Sequence, residues 1–117
     1  MTKTAWMTFN PRCGTARKTL AILEEEGFEV TQRRYLEEPL SRDEIAHLLD
    51  KGGMTARDLL RAKEPLARDL GLTQDSASDD EILDAMVEHP ILLNRPIVET
   101  QKGALLARPQ DEVRRIL

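Results

Sequence analysis

The sequence predicts an α/β protein built on one four-stranded mixed sheet, and three observations predict it. A short apolar run, a turn, an amphipathic helix and a second apolar run follow one another closely at the start, which is a β-α-β unit with parallel strands. The middle third carries repeated helix-start signals and no strand signal. The last third holds two short strand-like runs around a glycine, then a helix opened by proline. The chain has 117 residues, the length of one domain. A single domain spanning 1–117 is therefore expected, with a helical insert at about 41–88.

Each element has a local reason. Residues 4–9 read as a short buried strand, and Asn10-Pro11-Arg12 as the turn that ends it. From Gly14 to Glu26, Ala16, Leu20 and Leu23 fall on one helical face, and Gly27 supplies the stop. Residues 28–36 contain the second strand, centred on Val30 to Tyr35. Ser41 and Glu44 form a capping box ahead of Ile45, Leu48 and Leu49, closed by Gly52-Gly53. Thr55 with Asp58 is a weaker cap, Pro65 opens a short helix that stops near Gly71, and Ser78 with Glu81 caps a helix that buries Ile82, Leu83, Met86 and Val87 until Pro90 ends it. Residues 97–100 and 104–107 form a hairpin across a three-residue loop, Gln101-Lys102-Gly103. Pro109 then opens a terminal helix with Val113, Ile116 and Leu117 on one face. The order β-α-β, helical insert, β-β-α is a thioredoxin-like architecture.

Composition narrows the function. The net charge is −4, so no overall basic field draws the protein to nucleic acid or to an anionic membrane. No signal-peptide core stands at the N-terminus, and the longest apolar run, Ile91-Leu92-Leu93, is too short to span a bilayer. The single cysteine, Cys13, rules out an internal disulfide and a multi-cysteine metal site, and fits a reducing, cytoplasmic setting. Of the 17 basic residues, 12 are arginine, the side chain whose planar fork suits oxyanions.

Cys13 lies where the first strand turns into the first helix. Helix N-termini present unpaired N–H groups and the positive end of a dipole, both of which favour a thiolate and both of which can hold an oxyanion. Asn10-Pro11-Arg12-Cys13-Gly14-Thr15 can therefore host a nucleophile and an anionic substrate together. Two readings stand on position alone: a reactive thiol, or a small buried hydrophobe. In a Cys-x-x-Cys site the second thiol resolves an adduct; here Ala16 stands at that place. A reactive Cys13 needs an external thiol.

Several segments in order carry a family resemblance: Asn10-Pro11-Arg12-Cys13-Gly14-Thr15-Ala16-Arg17, Tyr35-Leu36-Glu37-Glu38-Pro39, Leu59-Leu60-Arg61, His89-Pro90-Ile91-Leu92-Leu93-Asn94-Arg95-Pro96-Ile97-Val98 and Ala107-Arg108-Pro109. With these segments the chain resembles the glutaredoxin-coupled arsenate reductases of the ArsC type along nearly its whole length. The resemblance implies a thioredoxin-like fold, Cys13 as nucleophile, and Arg61, Arg95 and Arg108 as binders of the arsenic oxyanion, with the loop amides of Gly14 and Thr15 at the helix start completing the cradle. It implies that Pro96 is a cis proline beside the cysteine; Asn10 stands near the site, and Asn10 and Thr15 read equally as plain turn and cap residues. Arsenate, glutathione as co-substrate and glutaredoxin are the implied partners, in a cytoplasmic monomer with no metal and no tightly bound cofactor. One position departs from the pattern. Well-known members carry a histidine four residues before the cysteine, where this chain has Phe9. Two other functions remain open: a glutathione-dependent thiol protein with another substrate or none, and a regulator of RNA polymerase similar to the Spx proteins, whose Cys-x-x-Cys switch Ala16 breaks.

Overall fold

Strand β1 (Lys3–Thr8) leads into helix α1 (Gly14–Glu25), and β2 (Phe28–Arg33) returns beside β1. The computed structural model describes residues 3–117. Further along come α2 (Arg42–Gly52), α3 (Ala56–Leu59), α4 (Pro65–Asp69) and α5 (Asp79–Glu88), a 3-10 turn (Pro90–Leu92), strands β3 (Ile97–Thr100) and β4 (Gly103–Leu106), and a 3-10 helix (Gln110–Ile116). The sheet has the order β2-β1-β3-β4. β1 and β2 are parallel from Lys3↔Phe28 to Thr8↔Arg33. β3 is antiparallel to β1 through Trp6↔Glu99 and Met7↔Val98, and β4 is antiparallel to β3. This is the mixed sheet expected from the β-α-β unit and the hairpin.

The chain forms two compact units, one of residues 1–38 with 95–117 and one of residues 39–94. The first holds the sheet, α1 and the terminal 3-10 helix. Its core gathers Ala5 and Met7 of β1, Ala16, Ile22 and Leu23 of α1, Val98, Leu105, Val113 and Ile116, with Phe9 in the same cluster. Ala5 and Met7 alternate with the half-buried Trp6, as a strand with a period of two requires. On α1 the apolar face also takes in Thr19, fully buried because its hydroxyl donates to the Thr15 carbonyl at 2.8 Å one turn back.

The second unit is helical, and its starts follow the sequence closely. Ser41, Thr55 and Ser78 each make both halves of a capping box, with Glu44, Asp58 and Glu81. Gly53 closes α2 with φ of 63°, the left-handed conformation that glycine adopts without a Cβ clash. α5 packs against both α2 and α3. Arg42 on α2 pairs with Asp80 and Asp84 on α5, and the Arg57 guanidinium donates to the carbonyls of Leu72, Gln74 and Ala77. The surface ion pairs add little stability. Arg57 instead satisfies three loop carbonyls and holds residues 72–77 to α3.

Three elements differ from expectation. β2 stops at Arg33 and does not run on toward Leu36. Its partner β1 ends at Thr8↔Arg33, the Phe9 N–H donates to the Arg33 carbonyl at 2.7 Å, and the Arg34 carbonyl then accepts from Glu37 and Glu38, which curls the chain. The hairpin joins through two residues, because Thr100 pairs with Gly103. The terminal helix is 3-10 and not α: Val113 and Ile116 are spaced by three, one 3-10 turn. A Cβ on Gly103 would lie 3.3 Å from Ile116 Cγ2, so the hairpin and this helix approach closely. Thr100 locks them by donating its hydroxyl to the Ile116 carbonyl at 2.6 Å.

At the C-terminal end of β1, Thr8 is fully buried and its Oγ1 accepts the Ile97 N–H at 2.9 Å. Thr8→Val keeps the side-chain shape and leaves that buried N–H without its acceptor. The expected loss is about 1–3 kcal/mol of unfolding free energy, measured by urea denaturation. A loss under a few tenths would show that the bond contributes nothing.

Candidate functional site

The loop between β1 and α1 is shaped before Cys13 enters it. The Asn10 side-chain oxygen accepts the Arg12 N–H at 3.0 Å, and the Asn10 carbonyl accepts the Cys13 N–H at 2.9 Å. This turn sets Cys13 in extended backbone as the N-cap residue of α1. Its carbonyl accepts the Arg17 N–H at 3.1 Å, the first bond of the helix. The side chain at an N-cap normally accepts from the second or third helical N–H. Here that side chain is a thiol. No strict capping hydrogen bond to Sγ forms, yet the Ala16 and Thr15 amides lie close enough to favour its anion.

The thiol is half-buried and packs against the first unit's core. Burial pushes its pKa up. The Ala16 N–H, a hydrogen bond from the Arg95 side chain, the charge of Arg95 and the Thr15 N–H act in the other direction and outweigh burial, so the pKa is held below the ordinary thiol value. Arg95 precedes Pro96 across a cis peptide bond, and the Arg108–Pro109 bond is also cis. An Arg108 guanidinium nitrogen donates to the Arg95 carbonyl at 3.0 Å. Cys13, Arg95 and Arg108 are thus brought together in the first unit, one arginine on the sulfur and the second on the backbone of the first.

A half-exposed thiol at a helix N-terminus, with its ionisation favoured by the helix amides and Arg95, can as thiolate attack an electrophilic centre bearing oxygen anions beside a cation that binds their charge. The whole chain then has a recognisable pattern. The family model described as the ArsC family matches residues 9–116. The chain belongs to the ArsC family. It is 46% identical over 108 residues to an arsenate reductase of Escherichia coli, covering 92% of this chain and 77% of that protein. Identity, length and coverage are the same for an arsenate reductase of Rhizobium meliloti. Among solved structures, an arsenate reductase from Vibrio cholerae superposes with a TM-score of 0.93 at 36% identity, covering 100% of both chains. A putative arsenate reductase from Yersinia pestis gives 0.87 at 40% identity, covering 96% of this chain and 99% of that one. The fold is thioredoxin-like, as the element order predicts.

The remaining residues of the ArsC pattern are placed as follows. Arg61 lies in the second unit, where its N–H donates to the Leu92 carbonyl at 2.7 Å and its side chain pairs with Glu64 at 3.7 Å. The Leu60↔Leu93 bridge beside it ties the segment to residues 92–94. Thr15 is half-buried. Gly14 has an ordinary φ, and an added Cβ would meet only Arg17 at 3.8 Å, so neither backbone strain nor crowding requires a glycine there. Phe9 is 7% exposed in the core cluster. His47 is exposed on α2, and His89 ends α5. Thr8 was missed by reading the sequence. It ties the end of β1 to the residue after Pro96 and so sets Arg95 against Cys13, but a threonine inside an apolar run carries no local sign of that.

No helix among the described residues is long and apolar enough to cross a membrane.

Because the Cys13 pKa is lowered, its thiolate fraction saturates at a lower pH than that of the same thiol in the unfolded chain. Iodoacetamide alkylation of Cys13, followed from pH 5 to 10, should rise to a plateau with its midpoint below that of the urea-unfolded protein. Arg95→Ala removes both a hydrogen bond and a charge that favour the thiolate, so its midpoint should move up. Coincident midpoints would dissociate Arg95 from the thiol.

Proposed function

We propose that this chain reduces arsenate to arsenite at Cys13, with glutathione and glutaredoxin supplying the other thiols. The observation that carries this reading is the Cys13 thiol, favoured as a thiolate by the first turn of α1 and by Arg95 in a chain that belongs to the ArsC family. The names of its relatives support the substrate. Arsenate would bind to the guanidinium groups of Arg61, Arg95 and Arg108 and to the N–H groups of Gly14 and Thr15. The Cys13 thiolate attacks arsenic, and one arsenate oxygen leaves as water after taking up protons. Glutathione joins as the second thiol. As arsenic falls from the pentavalent to the trivalent state, the two electrons come from the two sulfurs, which end as a Cys13–glutathione disulfide. A glutaredoxin thiolate attacks the glutathione sulfur and Cys13 leaves as thiolate. In this reading Asn10 and Pro96 shape the site, residues 1–117 act as one domain with a helical insert, and the protein is a cytoplasmic monomer.

One observation favours a second reading. Phe9 occupies the place of the family's histidine and is buried, so it brings neither charge nor a hydrogen bond to sulfur. A thiol protein that uses glutathione with another substrate, or with none, fits that change.

Arsenite formation from arsenate, glutathione, glutaredoxin and a coupled electron source separates the two readings. Turnover is expected, and its absence from pH 6 to 10 would remove the first. Cys13→Ser should fall to background. Arg61→Ala, Arg95→Ala and Arg108→Ala should each weaken arsenate handling about 10- to 100-fold in kcat/KM, the worth of a charge-assisted hydrogen bond of ~1.5–3 kcal/mol. Phe9→His should lower the alkylation midpoint of Cys13. An unmoved midpoint would mean that the helix terminus and Arg95 already suffice.

A further inference from the structure

We propose that a cleft beside the nucleophile loop is the docking site of the external thiol, and that it selects a small peptide thiol bearing two carboxylates and one ammonium group. This deepens the functional reading above and rests on Cys13 being resolved from outside. The cleft encloses about 370 Å³, within the range of about 300–1,000 Å³ that holds small ligands. Its apolar surface comes from Phe9, Pro11 and Leu36, and its charge from Arg12, Arg34 and Glu37.

The cleft is built by the site's own architecture. The Phe9 N–H bond to the Arg33 carbonyl at 2.7 Å holds the start of the nucleophile loop to the end of β2. The Arg34 carbonyl accepts from Glu37 at 3.0 Å and Glu38 at 2.8 Å, and Arg33 Nε donates to the Glu38 carbonyl at 2.8 Å. That tight turn sets Arg34 and Glu37 alongside residues 9–12. Leu36, a large apolar side chain left 48% exposed, stands on the same turn.

Charge identifies the occupant. Two guanidinium groups and one carboxylate match two ligand carboxylates and one ammonium. A simple oxyanion would be served by the arginines and repelled by Glu37. Neither the Arg12 nor the Arg34 guanidinium is engaged in a hydrogen bond or ion pair among the described residues, so both forks are available to carboxylates. Cys13 does not itself line the cleft, but Arg12, the residue immediately before it, does, so the cleft opens on the nucleophile loop next to the thiol, about 3.8 Å along the chain between Cα atoms. The arsenate-binding arginines and this cleft then share the work: one set holds the oxyanion, the other holds the reductant.

The test uses the full chain and leaves arsenate out. Cys13 thiolate is reacted with glutathione disulfide: a Cys13–glutathione S–S bond forms, the S–S bond of the reagent breaks, glutathione leaves as thiolate, and the reagent is the oxidant. Hydroxyethyl disulfide, which has no charge, serves as the reference, and mass spectrometry follows both rates. The wild-type rate ratio should favour glutathione disulfide. Arg34→Glu should reduce that ratio at least about tenfold. Lys18→Glu, the same charge reversal at an exposed position of α1 outside the cleft, should leave it within about twofold. A ratio unchanged in Arg34→Glu, or reduced equally in Lys18→Glu, overturns the proposal. Arsenate turnover is read in a separate assay. Its absence beside an Arg34-dependent ratio would remove the reductase reading and leave this site standing.

Discussion

Every α-helix begins with N–H groups that have no partner inside the helix. The site depends on that defect. The parallel β1-α1-β2 unit carries the chain off the end of β1, and the Asn10 turn delivers it to α1 with Cys13 at the N-cap. An oxygen side chain there would consume the spare N–H groups in a conventional cap. A thiol is a poorer acceptor while neutral and a good partner once ionised, so the helix start rewards loss of the proton. The thiol and the helix boundary are thus one structural fact, and neither can be moved without the other.

Burial works against this arrangement and also strengthens it. Packing Cys13 against a cluster that includes Phe9 strips water from the sulfur, which disfavours the charge. The same exclusion of water strengthens each remaining interaction, because a hydrogen bond or a charge counts for more at low dielectric. Arg95 supplies both, and they prevail together with the two amides. With phenylalanine rather than histidine beside the loop, positive charge on the sulfur comes from Arg95, at the end of a different chain segment. Thiol acidity therefore depends on the register between β1 and β3, which the Thr8 bond to Ile97 sets at the end where Arg95 sits.

Local signals were readable where local physics decides. The caps at Ser41, Thr55 and Ser78, the glycine stop of α2 and the placement of Cys13 all depend on neighbours within four residues. The end of β2 was misread because Tyr35 is buried and gives the pattern of a strand residue, while the strand itself ends for want of a partner once β1 has turned away. The 3-10 form of the last helix goes with its close packing on the hairpin just before it, where Ile116 meets Gly103 and Thr100, a tertiary contact that the apolar spacing of 113–117 does not reveal. Thr8 and Arg57 act through acceptors and donors that no spacing rule connects to them. Arg95 and Arg108 could be selected from 12 arginines only by family pattern, since a guanidinium on a sulfur and a guanidinium on a surface look alike in one dimension.

In the proposed reaction the arginines also explain how an acidic chain can handle an anion. A net charge of −4 acts over distances that salt screens within about 8–10 Å, whereas a fixed guanidinium acts at contact. Arg108 commits one of its five donors to the Arg95 carbonyl and keeps the others, so part of its orientation is settled before any ligand arrives. Arg95 is directed at the sulfur by the same segment. Groups held in place in advance need not reorganise as negative charge builds on the reacting centre, and most of the benefit of an electrostatic site comes from that. The bond from the Arg108 guanidinium to the Arg95 carbonyl therefore bears on the proposed reaction apart from any contact with substrate: it makes the position of one cation depend on that of the other.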